Sequence, residues 1–218
     1  MVPAAFSFAQ ASEAGTIYRP AEIAALAKIA HARGMKVHMD GARFANALVR
    51  MNANPAEITW KSGIDVLSFG ATKGGAMAAE AVVFFDREFA ANMAERRKRA
   101  GHLVSKHRYL ALQFTAFLKD DCWLRLARHA NAMADRLAAG LTAAGRSPAW
   151  PVEANLVFLV LPNAAEARLK AAGAHYYVRR SESLPAPLPP DHCLIRLVTS
   201  FATREEEVDR FVDVAAKS

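Results

Sequence analysis

The 218-residue chain is 53% hydrophobic and 22% charged, with a formal net charge of +7, a length and balance that suit one large domain, or a core with a small second domain. No run approaches the roughly 20 apolar residues that cross a bilayer, and the first residues lack the basic start and long apolar segment of a secretory leader, so a cytoplasmic protein without a membrane partner is expected. The basic excess includes Arg96-Arg97-Lys98-Arg99, but that run follows Phe89, Met93 and Ala94 in helical spacing without interleaved aromatics, which predicts a solvated helix face and no nucleic-acid partner.

In chain order, Arg19-Pro20 opens a helix with proline in its first turn, and Ile23, Leu26, Ile29 and Ala30 give it one apolar face until Gly34 stops it. Met35 to Met39 reads as a strand. Asn54-Pro55 starts a short helix, followed by strands over Ile64 to Phe69 and Ala81 to Phe85. This alternation predicts an α/β layer around a largely parallel sheet, in which ligands sit outside the carboxyl ends of the strands. A long helical region runs from about Leu103 to Gly145 and breaks near Asp120-Asp121.

Beyond it the pattern becomes α+β. Strands are expected over Asn155 to Leu161, Ala174 to Val178 and Cys193 to Thr199, with a helix over Ala164 to Ala172. A last helix follows Thr203-Arg-Glu-Glu206, whose spacing fits a capping box. Leu184-Pro-Ala-Pro-Leu-Pro-Pro190 is too proline-rich for anything but a loop. The domains expected are the remainder of a large cofactor-binding domain over 1–110, a helical connection over 111–145 and a small α+β domain over 146–218. Cys122 and Cys193 have neither metal-ligand spacing nor disulfide density, so both read as reduced packing residues and no metal is expected.

Chemistry concentrates in two segments. Lys36-Val-His-Met-Asp40-Gly-Ala-Arg43 ends one strand with an acid and an arginine, and Asp65-Val-Leu-Ser-Phe-Gly-Ala-Thr-Lys73 places a lysine just past the next. A pyridoxal 5'-phosphate (PLP) site requires this pairing, because the lysine forms the Schiff base and the carboxylate keeps the pyridine nitrogen protonated. His38 and Asp40 share a face of their strand, so His38 is placed to orient the acid.

His38-Met-Asp-Gly-Ala-Arg-Phe-Ala-Asn-Ala47 and Ser68-Phe-Gly-Ala-Thr-Lys73 resemble the cofactor signature and Schiff-base segment of the low-specificity L-threonine aldolase family, within the fold type I PLP enzymes and β-eliminating lyases. Gln10-Ala-Ser-Glu-Ala-Gly-Thr-Ile-Tyr18, Gly101-His-Leu-Val-Ser-Lys-His-Arg108 and Ile195-Arg-Leu-Val-Thr199 resemble further blocks of that family. The resemblance implies a PLP-transferase-like large domain and a small carboxy-terminal domain, in a homo-oligomer, dimer or tetramer. It implies Lys73 as the catalytic lysine and Asp40 as the partner of the pyridine nitrogen. Arg43 would lie near the ring hydroxyl and the substrate carboxylate, Arg196 would grip that carboxylate, and Arg108 would face the cofactor phosphate.

The implied reaction is aldol cleavage of threonine or allo-threonine to glycine and acetaldehyde. The alternatives are another fold type I β-eliminating lyase or aminotransferase, or a truncated, non-catalytic PLP-fold domain. Two departures from the family pattern stand out. No glycine-rich phosphate-binding turn precedes Asp40, which implies weak cofactor binding by this chain and self-association, and Gly74 stands where close relatives carry asparagine, which predicts a more flexible lysine turn.

Overall fold

The computed structural model describes residues 3–179, 184 and 187–217. It divides into two compact units, one of residues 1–12 and 18–125, the other of residues 13–17 and 126–218.

In the first unit, strands β1 (Ala5–Ala9), β2 (Lys36–Gly41) and β3 (Val66–Gly70) run parallel in that order, and β4 (Glu80–Phe84) pairs antiparallel with β3. Helix α1 (Pro20–His31) begins at the expected proline. Its buried residues are Ile23, Ala27 and Ala30, whereas Ile29, expected on the apolar face, is 53% exposed. The observed spacing of four then three follows the 3.6-residue turn, which carries Ile29 away from the buried stripe that the expected set assigned it to.

Strand β1 and helix α2 (Phe44–Met51) are additions to the expected elements. The helix buries Phe44, Ala47 and Leu48 and ends on Asn52 in the left-handed conformation. The short helix expected at Asn54-Pro55 is instead a run of turns leading to a single 3-10 turn over Trp60–Ser62.

Asp65 fastens the start of β3. It is 14% exposed and accepts hydrogen bonds from the Val37 backbone N–H at 2.8 Å and the Lys36 ammonium at 3.1 Å, and its other contact is the His31 ring at 2.8 Å. Burial pushes its carboxyl up, but the bonds from His31, the Val37 N–H and Lys36 together hold it below its ordinary value.

Helix α3 (Met93–Arg99) carries the basic run on an exposed surface, as expected. Helix α4 (Arg108–Leu118) is separated from α5 (Cys122–Ala143) by a 3-10 turn with Asp120 and Asp121 at positive φ, where the break was expected. Both carboxylate-bearing residues tolerate this conformation because their short polar side chains bond locally.

The second unit is built on an antiparallel sheet in the order β5 (Leu156–Pro162), β7 (His192–Val198), β6 (Tyr177–Arg179). One face packs Leu159, Leu161, Ile195 and Leu197 against α5, α6 (Asn163–Ala171) and α7 (Glu205–Ala216), with Leu137, Leu141 and Leu169 filling the layer. The cap of α7 lies one residue later than expected. Glu207 accepts the Arg204 backbone N–H at 2.9 Å, while Thr203 Oγ1 accepts the Ser200 N–H. Part of the proline-rich loop, with Pro185 and Ala186, lies outside the described residues. No described helix is long and apolar enough to cross a membrane, and among the described residues no His, Cys, Asp and Glu cluster suits a metal. Both cysteines are free thiols, and burial, followed by the nearby Glu166, pushes that of Cys193 up.

Candidate active site

The carboxyl ends of β2 and β3 form the centre of the site. Asp40 pairs in register with Ala9 on one side and Ser68 on the other. Gly41 follows because nothing larger fits: a Cβ there would lie 2.6 Å from Leu67 Cδ1 and 2.8 Å from the Ser68 carbonyl. The absent side chain lets β2 and β3 close against each other at the point where the chain leaves the sheet.

The Asp40 backbone is held by the Gln10 N–H, which donates to its carbonyl at 2.8 Å. Its carboxylate is exposed, and Oδ1 accepts the Ala42 N–H at 2.9 Å. Oδ2 has no hydrogen-bond partner among the described residues. Arg43, half-buried, stands at the start of α2.

Lys73 lies in a 3-10 turn, Thr72–Gly74, just past β3. It is exposed, and its ammonium makes no hydrogen bond or ion pair among the described residues. The surrounding loop is firmly closed. Ala71 N–H donates to the Ala79 carbonyl at 3.0 Å, Thr72 Oγ1 accepts the Ala79 N–H at 3.1 Å, and Gln113 Oε1 on α4 accepts both the Met77 and Ala78 N–H groups at 3.0 Å. Gly74 faces the Phe117 ring, whose Cζ would be 2.7 Å from an added Cβ.

His38 shares the Asp40 face, as alternation predicts. Its ring, however, contacts two serines and not the acid: Nδ1 lies 2.8 Å from Ser7 Oγ on β1, and Nε2 lies 2.8 Å from Ser68 Oγ on β3. The expectation that His38 orients Asp40 therefore lacks a direct bond. Arg108 opens α4, with its guanidinium 5.3 Å from the Tyr109 ring centre. The first unit thus brings Asp40, His38 and Ser68 onto one sheet face, with Lys73 beyond the adjoining strand.

Arg196 belongs to the second unit, on β7 between Phe158 and Tyr177. Its Nε is closed off from solvent and has no hydrogen-bond partner among the described residues. Leaving such a donor unmatched costs free energy unless a ligand supplies an acceptor.

Ser7, Thr72 and Gln113 had no role in the sequence reading. Ser68 could have been found from its face, two residues from Val66 and Gly70 along β3. Gln113 carried no signal, because the N–H groups that donate to its Oε1 lie in a loop distant in sequence.

The sequence profile of the β-eliminating lyase family matches residues 4–164. A low specificity L-threonine aldolase from Pseudomonas aeruginosa is 47% identical over 177 residues, which are 80% of this chain and 51% of that protein. Another from Pseudomonas sp. is 44% identical over 177 residues, with the same coverage. The chain therefore spans about half the length of the curated relatives it matches. The structure of Leishmania major threonine aldolase superposes with a TM-score of 0.86 at 32% identity, over 96% of this chain and 59% of that one. A methionine aminotransferase from Escherichia coli superposes at 0.73 with 16% identity, over 96% and 57% of the two chains, a likeness of fold alone.

Proposed function

Because the chain belongs to the β-eliminating lyase family and has the fold type I architecture of its structural neighbours, we propose that it serves PLP-dependent cleavage of β-hydroxy-α-amino acids, threonine and allo-threonine among them. The observation that carries this reading is an unpaired lysine and a carboxylate with a free oxygen at the ends of neighbouring parallel strands. These residues fit PLP: an amine for its aldehyde and an acceptor for its pyridine N–H. When bound, the cofactor supplies an electron-withdrawing ring that accepts the pair released as a bond at the amino acid's Cα breaks.

Each side chain then has a separate task. Lys73 Nζ is the covalent anchor, and its lack of a competing ion pair leaves its nitrogen available. Asp40 Oδ2 would accept the pyridine N–H, while the Ala42 N–H fixes the other oxygen. Arg43 would bind near the ring hydroxyl and the substrate carboxylate, and Arg108 would serve the cofactor phosphate. Arg196 takes the substrate carboxylate, for which its unmatched Nε and planar two-pronged donor geometry suit it.

A substrate carboxylate held by these arginines would fix the orientation of the amino acid's Cα, and so would favour carbon–carbon cleavage over loss of the α-proton. In the net reaction the β-hydroxyl gives up its proton, Cα–Cβ breaks, and Cα takes up a proton, leaving glycine and an aldehyde. The protein is read as a cytoplasmic homo-oligomer.

The test is borohydride reduction of the PLP-treated chain followed by peptide mass spectrometry, together with acetaldehyde release from L-threonine. The pyridoxyl mass is expected on the Lys73 peptide and disappears in Lys73→Ala. Labelling at other lysines with none at Lys73 would overturn the assignment.

A further inference from the structure

The Ser7, His38 and Ser68 side chains share one face of three parallel strands, with Ser7 in register with His38 and Ser68 one pair further along, in register with Asp40; the His38 ring touches both serines. Both contacts are 2.8 Å long, so both nitrogens of the imidazole are occupied. A neutral imidazole has one donor and one acceptor nitrogen, and a hydroxyl can serve either, so two serines satisfy the ring without any acid. Asp40 lies two residues along the same face, within reach of a ring that could turn toward it. Yet its Oδ2 has no partner among the described residues.

We propose that Ser7 and Ser68 are positioning residues that hold the His38 ring between them and thereby keep the Asp40 carboxylate unclaimed and available to a ligand's N–H. The proposal rests on the reading of Asp40 as the acid that faces the pyridine nitrogen. Ser68 matters most, because it is the register neighbour of Asp40 and stands on the strand that leads to Lys73. Removing its hydroxyl frees Nε2, and Asp40, two residues along the same face of β2, offers it a carboxylate acceptor. A histidine bonded to the carboxylate would then compete with the cofactor. The two serines lie on different strands, so no local segment could hold the ring alone.

The direct readout is the pair of ring-nitrogen shifts of His38, measured by long-range proton–nitrogen correlation on the labelled chain at neutral pH. Ser68→Ala should move the Nε2 resonance. Adding Asp40→Asn to Ser68→Ala should reverse much of that movement, because the new partner has lost its charge. Ser68→Thr, which retains a hydroxyl, should keep the wild-type shifts.

The second readout is PLP affinity by fluorescence quenching. Ser68→Ala should weaken binding by roughly tenfold, as expected when a charged hydrogen bond must be broken first, and His38→Phe in the same background should restore it. An Nε2 shift that is the same with Asp40 or Asn at position 40 would overturn the proposal, as would unrestored affinity in the Ser68→Ala/His38→Phe protein. The Lys73 labelling experiment is independent. Labelled Lys73 with an unresponsive His38 rejects the clamp alone, whereas unlabelled Lys73 with a responsive His38 rejects the PLP reading alone.

Discussion

Replacing Asp65 tests how the sheet under the site is held. In Asp65→Ala the Val37 N–H, on a residue that is 0% exposed, loses the carboxylate oxygen 2.8 Å away. An orphaned buried donor costs about 1–3 kcal/mol. The Lys36 and His31 contacts add less, because their side chains are 45% and 42% exposed and such pairs contribute about 0.2–1 kcal/mol. The expected total is about 2–3 kcal/mol, which for a chain of this size lowers the melting temperature by roughly 5–10 °C. Asp65→Asn keeps an oxygen for Val37 and loses only the charge, so its cost should be about 1 kcal/mol.

The pH dependence follows from the lowered carboxyl. A group whose folded pKa lies below its unfolded value stabilises the protein fully above the unfolded value, and that stability is lost as pH falls through the folded value. The gap in melting temperature between wild type and Asp65→Ala should hold from neutrality down to about pH 5 and narrow below the ordinary value of 3.8. Calorimetry of the three proteins between neutral and acidic pH measures both effects. An alanine variant as stable as the asparagine variant would refute the orphaned-donor argument, and a gap that widens with acid would refute the sign.

Gly74→Ala should destabilise the lysine turn by about 1–3 kcal/mol through overpacking, since its Cβ meets Phe117 at 2.7 Å; Phe117→Leu in the same chain should recover most of the loss in thermal melts. Arg196→Leu should leave the ligand-free chain equally stable or more so, because it removes an unmatched buried donor, while weakening amino-acid binding in the active protein by about thirty-fold or more. A drop in melting temperature with unchanged threonine kinetics would contradict both halves. Cys193, whose thiol is pushed up by burial and then by Glu166, should react with iodoacetamide far more slowly at pH 8 than a cysteine in an unfolded peptide, as intact-mass time courses would show; equal rates would contradict the burial.

The legible parts of the chain were those governed by neighbours in sequence. Proline at the start of α1, the alternation of β2, the apolar start of β3, and the acidic pair breaking α4 from α5 all signal through local conformational preference. Strand β1 is not legible locally because its five residues pair only with β2, more than two dozen residues later. Helix α2 was hidden by its position immediately after a glycine-containing motif that draws the reading toward chemistry. The placement of Asp40 before Lys73 at strand ends was legible, since order and alternation determine it. The partners of His38 were not, because Ser7 and Ser68 reach it from strands 31 and 30 residues away, and only the register of three parallel strands brings them together.

The antiparallel pairing of β4 with β3 has one more consequence for the lysine. Had the chain crossed over to a parallel strand, residue 73 would begin a long connection whose motion depended on a whole helix. Instead, 71–79 returns directly to the adjoining strand and is latched at its tip by one amide oxygen, that of Gln113. Opening this latch is a local event, separable from unfolding of the sheet. The Met77 and Ala78 amides should therefore exchange hydrogen for deuterium in concert, faster than the amides of β3, and Gln113→Leu should accelerate those two while leaving the β3 amides slow.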